Sequence, residues 1–223
     1  MLPHDREDIL YSDGKRCQIK EEEQFMMSLL GDADAKQPAL LDLGCGSGEI
    51  SLALAHKGYS PFGLDFSKVA VKIASANGLA CEEADLDSGI PKEDSSYDVV
   101  WAGDVMEHVF DPINVFKEVR RVLKPKGRFF ATIPNDLHCK TRIKVLLGFS
   151  YQEPVYRKFG QYKHHSFFSE RLVRYMYEAA NLEIVKMYYV ASLPLFGRRF
   201  ITSIKFFRIF STLMIVQAIN KKN

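Results

Sequence analysis

Three side chains able to move a proton or hold a cation stand together in the run DVMEHV (104–109). Asp104, Glu107 and His108 are spaced i, i+3 and i+4, which on a helical turn places them on one face. That set has two chemical uses. The histidine can act as a base toward a hydroxyl, or the oxygens and the ring nitrogen can converge on a divalent cation. A second group lies in LLDLGCGSGE (40–49), where Gly44, Gly46 and Gly48 alternate between Asp42 and Glu49. Glycines at this density either permit a tight turn or let the backbone close on a ligand. Asp65 ends the next apolar run 17 residues after Gly48, where an acid accepts hydrogen bonds from a ribose diol. A pyrophosphate would be repelled by Asp42 and Glu49, which argues against a nicotinamide dinucleotide. The two acids suit a ligand whose polar end is positively charged.

The elements that must position these groups alternate between short apolar runs and helix-period segments, the pattern of a parallel α/β sheet. ALLDLG (39–44) reads as a buried strand, followed by a helix from about Ser47 to Gly58. A second strand follows over 59–65. Ser67 caps the next helix, which Asn77-Gly78 stops. LACEEAD gives a short third strand and YDVVWAG (97–103) a fourth. Asp111-Pro112 opens a helix with a cap and an N1 proline. KPKG then turns the chain into a fifth strand, RFFATIP. Ser169 caps a helix reaching Ala180, EIVKMYYV is a sixth strand and TLMIVQAI a seventh. IKEEEQFMMSLL reads as an added helix within an N-terminal extension, 1–36.

The chain has 223 residues, enough for one domain with a proper core, and its composition is that of a folded globule. A formal charge of +2 supplies no global field for nucleic acid, so no DNA partner is expected. Cys17, Cys45, Cys81 and Cys139 lie far apart with no CxxC spacing, which suits reduced thiols rather than a zinc site or a disulfide framework. The N-terminus MLPHDREDIL is too charged for a secretory signal, and no apolar run reaches the roughly 18 residues needed to span a bilayer. A cytoplasmic protein is the expectation.

The segments DLGCGSG, GLDFS, EADL, YDVVWAGDVMEHVFDP, VLKPKGRFFATIPN and HHSFFSERL occur in this order. Together they resemble the class I S-adenosylmethionine-dependent methyltransferases. The likeness is greatest to the branch holding the ubiquinone-biosynthesis O-methyltransferases and other small-molecule enzymes, and it covers residues 39 to 190. It implies a Rossmann-like, seven-stranded, mostly parallel sheet with helices on both faces and the last strand antiparallel. It also implies S-adenosyl-L-methionine as cofactor and S-adenosyl-L-homocysteine as product. By position, Gly44, Gly46 and Gly48 would meet the methionine part, Asp65 the ribose, Phe66 the adenine face, and Asp85 and Leu86 the adenine edge. Asp42 would stand behind the loop, Arg16 would reach the cofactor carboxylate, and Cys45, Gly103 and Asp104 complete the expected cofactor contacts.

In the enzymes resembled, an acid-x-x-Glu-His pattern is linked to a divalent cation. Here Asp104 replaces a Glu and shortens one arm, so no metal ligand is assigned. Catalysis falls to Glu107, His108 and His164, the last aligning with the histidine that opens an H-x-x-F-F-S/T run in relatives. The segment lacks the Asn/Asp-Pro-Pro-aromatic motif of nucleic-acid amino methylation, so a hydroxyl of a small-molecule acceptor leads. The alternatives are an RNA methyltransferase and a cofactor-binding scaffold without activity.

Residues 135–168 exceed an ordinary connection and contain Tyr151, Tyr156, Phe159, Tyr162, His164, His165, Phe167 and Phe168, which suggests a lid over the acceptor. Within 191–223, Phe200, Ile204 and Phe207 at helical spacing, among Arg198, Arg199, Lys205 and Arg208, predict an amphipathic helix over 198–210 before the final strand. Such a helix either packs on the sheet or makes peripheral contact with the inner face of an anionic membrane.

Overall fold

The computed structural model describes residues 19–34, 37–149, 166–192 and 199–221. Its elements, in chain order, begin with α1 (Glu21–Leu30), β1 (Ala39–Leu43), α2 (Glu49–His56), β2 (Ser60–Asp65), α3 (Lys68–Ala76) and β3 (Cys81–Glu83). A short 3-10 helix (Leu86–Ser88) follows, then β4 (Tyr97–Ala102), α4 (Pro112–Val122), β5 (Leu123–Pro134) and α5 (Cys139–Leu146). The chain closes with α6 (Glu170–Ala179), β6 (Leu182–Ser192), β7 (Arg199–Thr202), a second 3-10 helix (Lys205–Phe210) and β8 (Ser211–Asn220).

The strands form one sheet in the order β3-β2-β1-β4-β5-β8-β6-β7. β1 to β5 are parallel, and β8 runs antiparallel to both β5 and β6. The expected mixed sheet with an antiparallel last strand is therefore present, with one strand more than expected. The extra strand, β7, pairs antiparallel with β6 at the edge. It replaces the first part of the helix expected over 198–210, whose remainder is the 3-10 helix Lys205–Phe210.

Local chemistry sets the element ends. The Ser67 hydroxyl accepts from Ala70 N at 3.1 Å, Asp111 from Asn114 N at 3.1 Å ahead of Pro112, and Ser169 from Leu172 N at 3.2 Å. Each such cap stabilises its helix by about 1 kcal/mol. Gly78, at φ +95°, stops α3 as expected of Asn77-Gly78. KPKG makes no separate turn. It is a bulged excursion inside β5, where the register passes from Tyr97↔Leu123 to Val99↔Arg128 and Lys126 sits at φ +60°.

Alternation along β4 and β5 divides the core between the two faces of the sheet. On one face Phe116 of α4, Tyr177 of α6 and Phe129 of β5 touch ring to ring, with centroids 4.7 to 5.8 Å apart. On the other, Met26, Met27 and Leu30 of α1 and Leu54 of α2 cover Trp101 and Phe130, stacked at 6.3 Å. Burying side chains of this size contributes roughly 1.5–3 kcal/mol each. Burial of its apolar face, not propensity, thus fixes α1 over the strand ends.

Candidate active site

Strand order reverses between β1 and β4, and a doubly wound sheet offers its ligand crevice at that switch, beyond the carboxyl ends of the strands. The ladders bring those ends level: Leu43 stands beside Leu64 and Ala102, Asp65 beside Glu83, and Ala102 beside Ala131. The glycine loop after β1, Asp65 and Phe66 after β2, Asp85 and Leu86 after β3, and Gly103 and Asp104 after β4 therefore share one edge.

The glycines are required by geometry. Gly44, Gly46 and Gly48 have φ of +69°, +54° and +91°, a region L side chains avoid. A Cβ on Gly44 would also come within 2.5 Å of the Val105 Cγ2. Asp65 holds the loop from the next strand, its Oδ2 accepting from Gly46 N and its Oδ1 from Ser67 N, both at 2.8 Å. Asn77, at the end of α3, donates to the Ser47 carbonyl at 3.0 Å. The loop is a bare backbone cradle pinned from two sides, and it fits a ligand that needs close backbone approach.

Asp42 is buried behind the cradle and accepts from the Ser51 hydroxyl at 2.6 Å. Burial pushes its carboxyl up to about 7, with the charges of Asp65 and Glu23 adding to that and the Ser51 bond opposing it. Cys45 is buried beside Gly63, and desolvation raises its thiol, which makes it a packing residue and not a nucleophile. Asp85 caps the 3-10 helix after β3, accepting from Asp87 N and the Ser88 hydroxyl, and it borders a surface cleft of about 370 Å³. Leu86 packs against the core beside it. A larger cleft, about 430 Å³, lies at the opposite, amino edge of the sheet between Asp98 and Arg128. It is at the wrong end of the strands for a ligand of this architecture.

Asp104 sits at φ +54° and exchanges two hydrogen bonds with Thr132 of β5: its N–H donates to the hydroxyl at 2.7 Å, and the hydroxyl donates to Oδ1 at 2.6 Å. Its other oxygen takes Lys20 Nζ, from the residue capping α1. Burial raises the Asp104 carboxyl, but the bonds from Lys20 and Thr132 outweigh it and leave the group below its ordinary value. Glu107, 3% exposed, is pushed up to about 8 by burial first, with the charges of Asp104 and Asp136 adding. His108 is half-buried, its N–H closing a turn onto the Val105 carbonyl at 2.9 Å.

The segment is thus a succession of turns, and Asp104, Glu107 and His108 do not share the helical face that their spacing suggested. Among the described residues no three acids, histidines or cysteines converge as metal ligands. With Asp104 engaged by Lys20 and Thr132, and Glu107 favouring its neutral form, the set as it stands does not fit a divalent cation.

Arg16 and His164 lie outside the described residues, as do His165 and the lid tyrosines and phenylalanine at 151, 156, 159 and 162. The stretch 135–168 is not wholly irregular, because it contains α5. Its ends are drawn together: Asp136 N donates to the Phe168 carbonyl at 2.9 Å, and Phe168 N to the Asp136 carboxylate at 2.6 Å. Ser166 N donates to the Glu107 carbonyl, so the returning chain runs past the acidic turn. Sequence reasoning missed Lys20, Thr132 and the buried Glu23, which accepts from Lys20 N at 2.6 Å. Only the fold brings residue 20 to residue 104, and no local spacing signals it.

The glycine cradle at the switch point, the acid on the second strand and the acid-histidine turn after the fourth stand together at the ligand edge of a Rossmann-like sheet. A family model described as a methyltransferase domain matches residues 41–131. The chain is 30% identical over 167 residues to the ubiquinone biosynthesis O-methyltransferase of Idiomarina loihiensis, covering 71% of this chain and 67% of that one. It is 28% identical to the corresponding enzyme of Aeromonas salmonicida, with coverage of 70% and 67%. Other relatives of that name are matched over about half their length. In fold it resembles a Thermotoga maritima protein described as a SAM-dependent methyltransferase, possible histamine N-methyltransferase. The TM-score there is 0.68, at 19% identity, covering 89% of this chain and 88% of that one. The chain belongs to the S-adenosylmethionine-dependent methyltransferase family and takes S-adenosylmethionine as its cofactor.

Proposed function

We propose that the chain methylates a hydroxyl group of a small-molecule acceptor. The observation that carries this reading is the turn bearing Glu107 and His108. It follows β4 at the edge that holds the glycine cradle, and it offers a carboxyl pushed up to about 8 and, at the next residue of the chain, an imidazole. The bound cofactor supplies an electrophilic methyl on a good leaving group, so the protein's tasks are alignment and removal of the acceptor's proton. Gly44, Gly46 and Gly48 seat the methionine part against backbone, and Asp65 holds the ribose. Asp104, whose carboxyl is held below its ordinary value, places negative charge at the same edge as the cradle. His108 takes the hydroxyl proton, and Glu107, once ionised, adds negative charge on the same turn. Relatives whose names specify O-methylation support the choice of oxygen.

We place the acceptor beside Glu107, where Asp136 and Phe168 meet and Ser166 N donates to the Glu107 carbonyl. The test is incubation with methyl-tritiated cofactor and a cell extract, followed by phase partition and alkaline treatment. Label stable to alkali in small molecules is the expected result. With the labelled acceptor in hand, His108→Ala is expected to lower transfer by at least ~100-fold while calorimetry finds cofactor affinity unchanged. Label confined to RNA or protein would overturn the reading.

A further inference from the structure

We propose that Asp136 is a positioning residue for methyl transfer, fastening residues 166–168 as a strap across the turn that carries Glu107 and His108. Residues 104–109 form no helix, so no ladder of i to i+4 bonds stiffens them, and their backbone groups need partners from elsewhere. At its front the turn is held by β5, through the two bonds that Asp104 exchanges with Thr132. At its far end the partner is Ser166. Its N–H donates to the Glu107 carbonyl and its hydroxyl to the Val109 carbonyl, both at 3.3 Å. Bonds of that length are weak, so they steady the turn only while Ser166 is itself kept in place.

Two residues on, the strap is anchored. The Phe168 ring is 1% exposed and packs in the core that holds Phe116 and Tyr177. Its backbone meets Asp136 twice: Asp136 N donates to the Phe168 carbonyl at 2.9 Å, and Phe168 N donates to Asp136 Oδ2 at 2.6 Å. The second bond is short and charge-assisted, which is the stronger kind. The support beneath Asp136 is equally fixed. Asn135 is buried, its N–H donating to the Thr212 carbonyl and its Nδ2 to the carbonyls of Arg208 and Ser211. A line of bonds therefore runs from β8 through Asn135 and Asp136 to Phe168, and from there two residues back to Glu107 and Val109. The Asp136 carboxylate is a link in that line whose loss removes no core side chain.

The same carboxylate faces Glu107. With Asp104 it favours the protonated form of that acid, Lys20 opposes them, and His108 follows Glu107 in the chain. Asp136 thus acts on the turn by place and by charge. The proposal rests on the role in transfer given above to Glu107 and His108.

The test uses the full-length protein, methyl-tritiated cofactor and the acceptor labelled in the extract assay. Asp136→Ala is expected to lower kcat at least ~10-fold, since a small misplacement of the turn is enough. Cofactor Kd by calorimetry should stay unchanged, and the Ser166 and Phe168 amides should lose protection in hydrogen exchange. Asp136→Asn keeps an oxygen for the Phe168 N–H, so most of the rate and the protection should return. Loss of the charge should still move the rise of transfer with Glu107 ionisation to lower pH, by roughly half a pH unit. A bond that only braced the loop would not move it. Hydrogen exchange needs neither an acceptor nor a role for Glu107, so failure of the strap is distinguishable from failure of the O-methylation reading. An unchanged kcat or kept protection in Asp136→Ala would overturn the proposal, as would cofactor affinity falling in step with kcat. If Asp136→Ala does not fold, Asp136→Asn decides, and a pH profile that stays in place there refutes it.

Discussion

Replacing Asp42 by Asn gives the sharpest check of the site's electrostatics. The Asp42 carboxyl is buried, accepts from Ser51 and is pushed from 3.8 up to about 7, chiefly by desolvation. The folded chain keeps this proton at pH values where the unfolded chain has lost it, so between about pH 4 and pH 7 folding takes up a proton. Stability must therefore fall as pH rises through that window and level off above it. Moving one carboxyl across that interval corresponds to about 4 kcal/mol between its two protonation states, an upper figure because relaxation and water penetration reduce it. The amide keeps an acceptor for Ser51 and never ionises. The variant's stability relative to wild type should thus climb with pH, by up to about 1.4 kcal/mol for each pH unit of the shift that survives relaxation. Trp101 is the sole tryptophan and fully buried, so urea unfolding at pH 5 and pH 8 can be followed by its emission. A difference between the two proteins that stays constant with pH would refute the buried, proton-holding acid.

Three further outcomes are expected. Gly44→Ala meets both a left-handed φ and a 2.5 Å clash with Val105, so titration calorimetry should find cofactor binding weakened at least ~10-fold; near-normal affinity would show that the cradle yields. With the carboxyl of Glu107 pushed up to about 8, transfer should rise with pH through that value as the group ionises, and Glu107→Gln should lose this limb; a limb that survives in the variant would show that it does not belong to Glu107. Lys20 is half exposed, so Lys20→Met should lower the free energy of unfolding in urea by no more than about 1 kcal/mol. The same change should let the Asp104 carboxyl rise, because burial would then act against fewer hydrogen bonds; carbon-13 shifts that do not move would remove Lys20 from its role.

Much of the frame was legible because the signals were local. Ser67, Asp111-Pro112 and Ser169 mark helix starts by side-chain chemistry that operates within three residues. The alternating apolar runs likewise mark the parallel strands. The places of the candidate cofactor residues were readable for the same reason, since the glycine loop follows β1 directly, Asp65 ends β2 and Asp104 follows β4. What failed was decided by tertiary partners. Phe200 stands at helical spacing from Ile204 and Phe207. Yet Phe200, Ile201 and Thr202 pair with Ala191, Val190 and Tyr189, and β-branched residues on a free sheet edge favour that outcome. The i, i+3, i+4 spacing of Asp104, Glu107 and His108 suggested a helix, but Thr132 claims the Asp104 N–H and holds the residue in a left-handed turn. α5 left no readable core stripe because it has none.

The bonds from Asp65 to Gly46 and Ser67 have a consequence for turnover. They fix the loop through the protein's own groups, so in the role proposed for the cradle little disorder would be lost when the cofactor enters. A rigid seat of this kind grips the spent thioether as readily as the fresh sulfonium, because the two differ little in shape. The distinction between them must then come from charge: the acids around the cradle favour the cationic donor and give its neutral remnant less reason to stay. Exchange of product for donor would accordingly be an electrostatic selection, and added salt should narrow the gap between the two affinities.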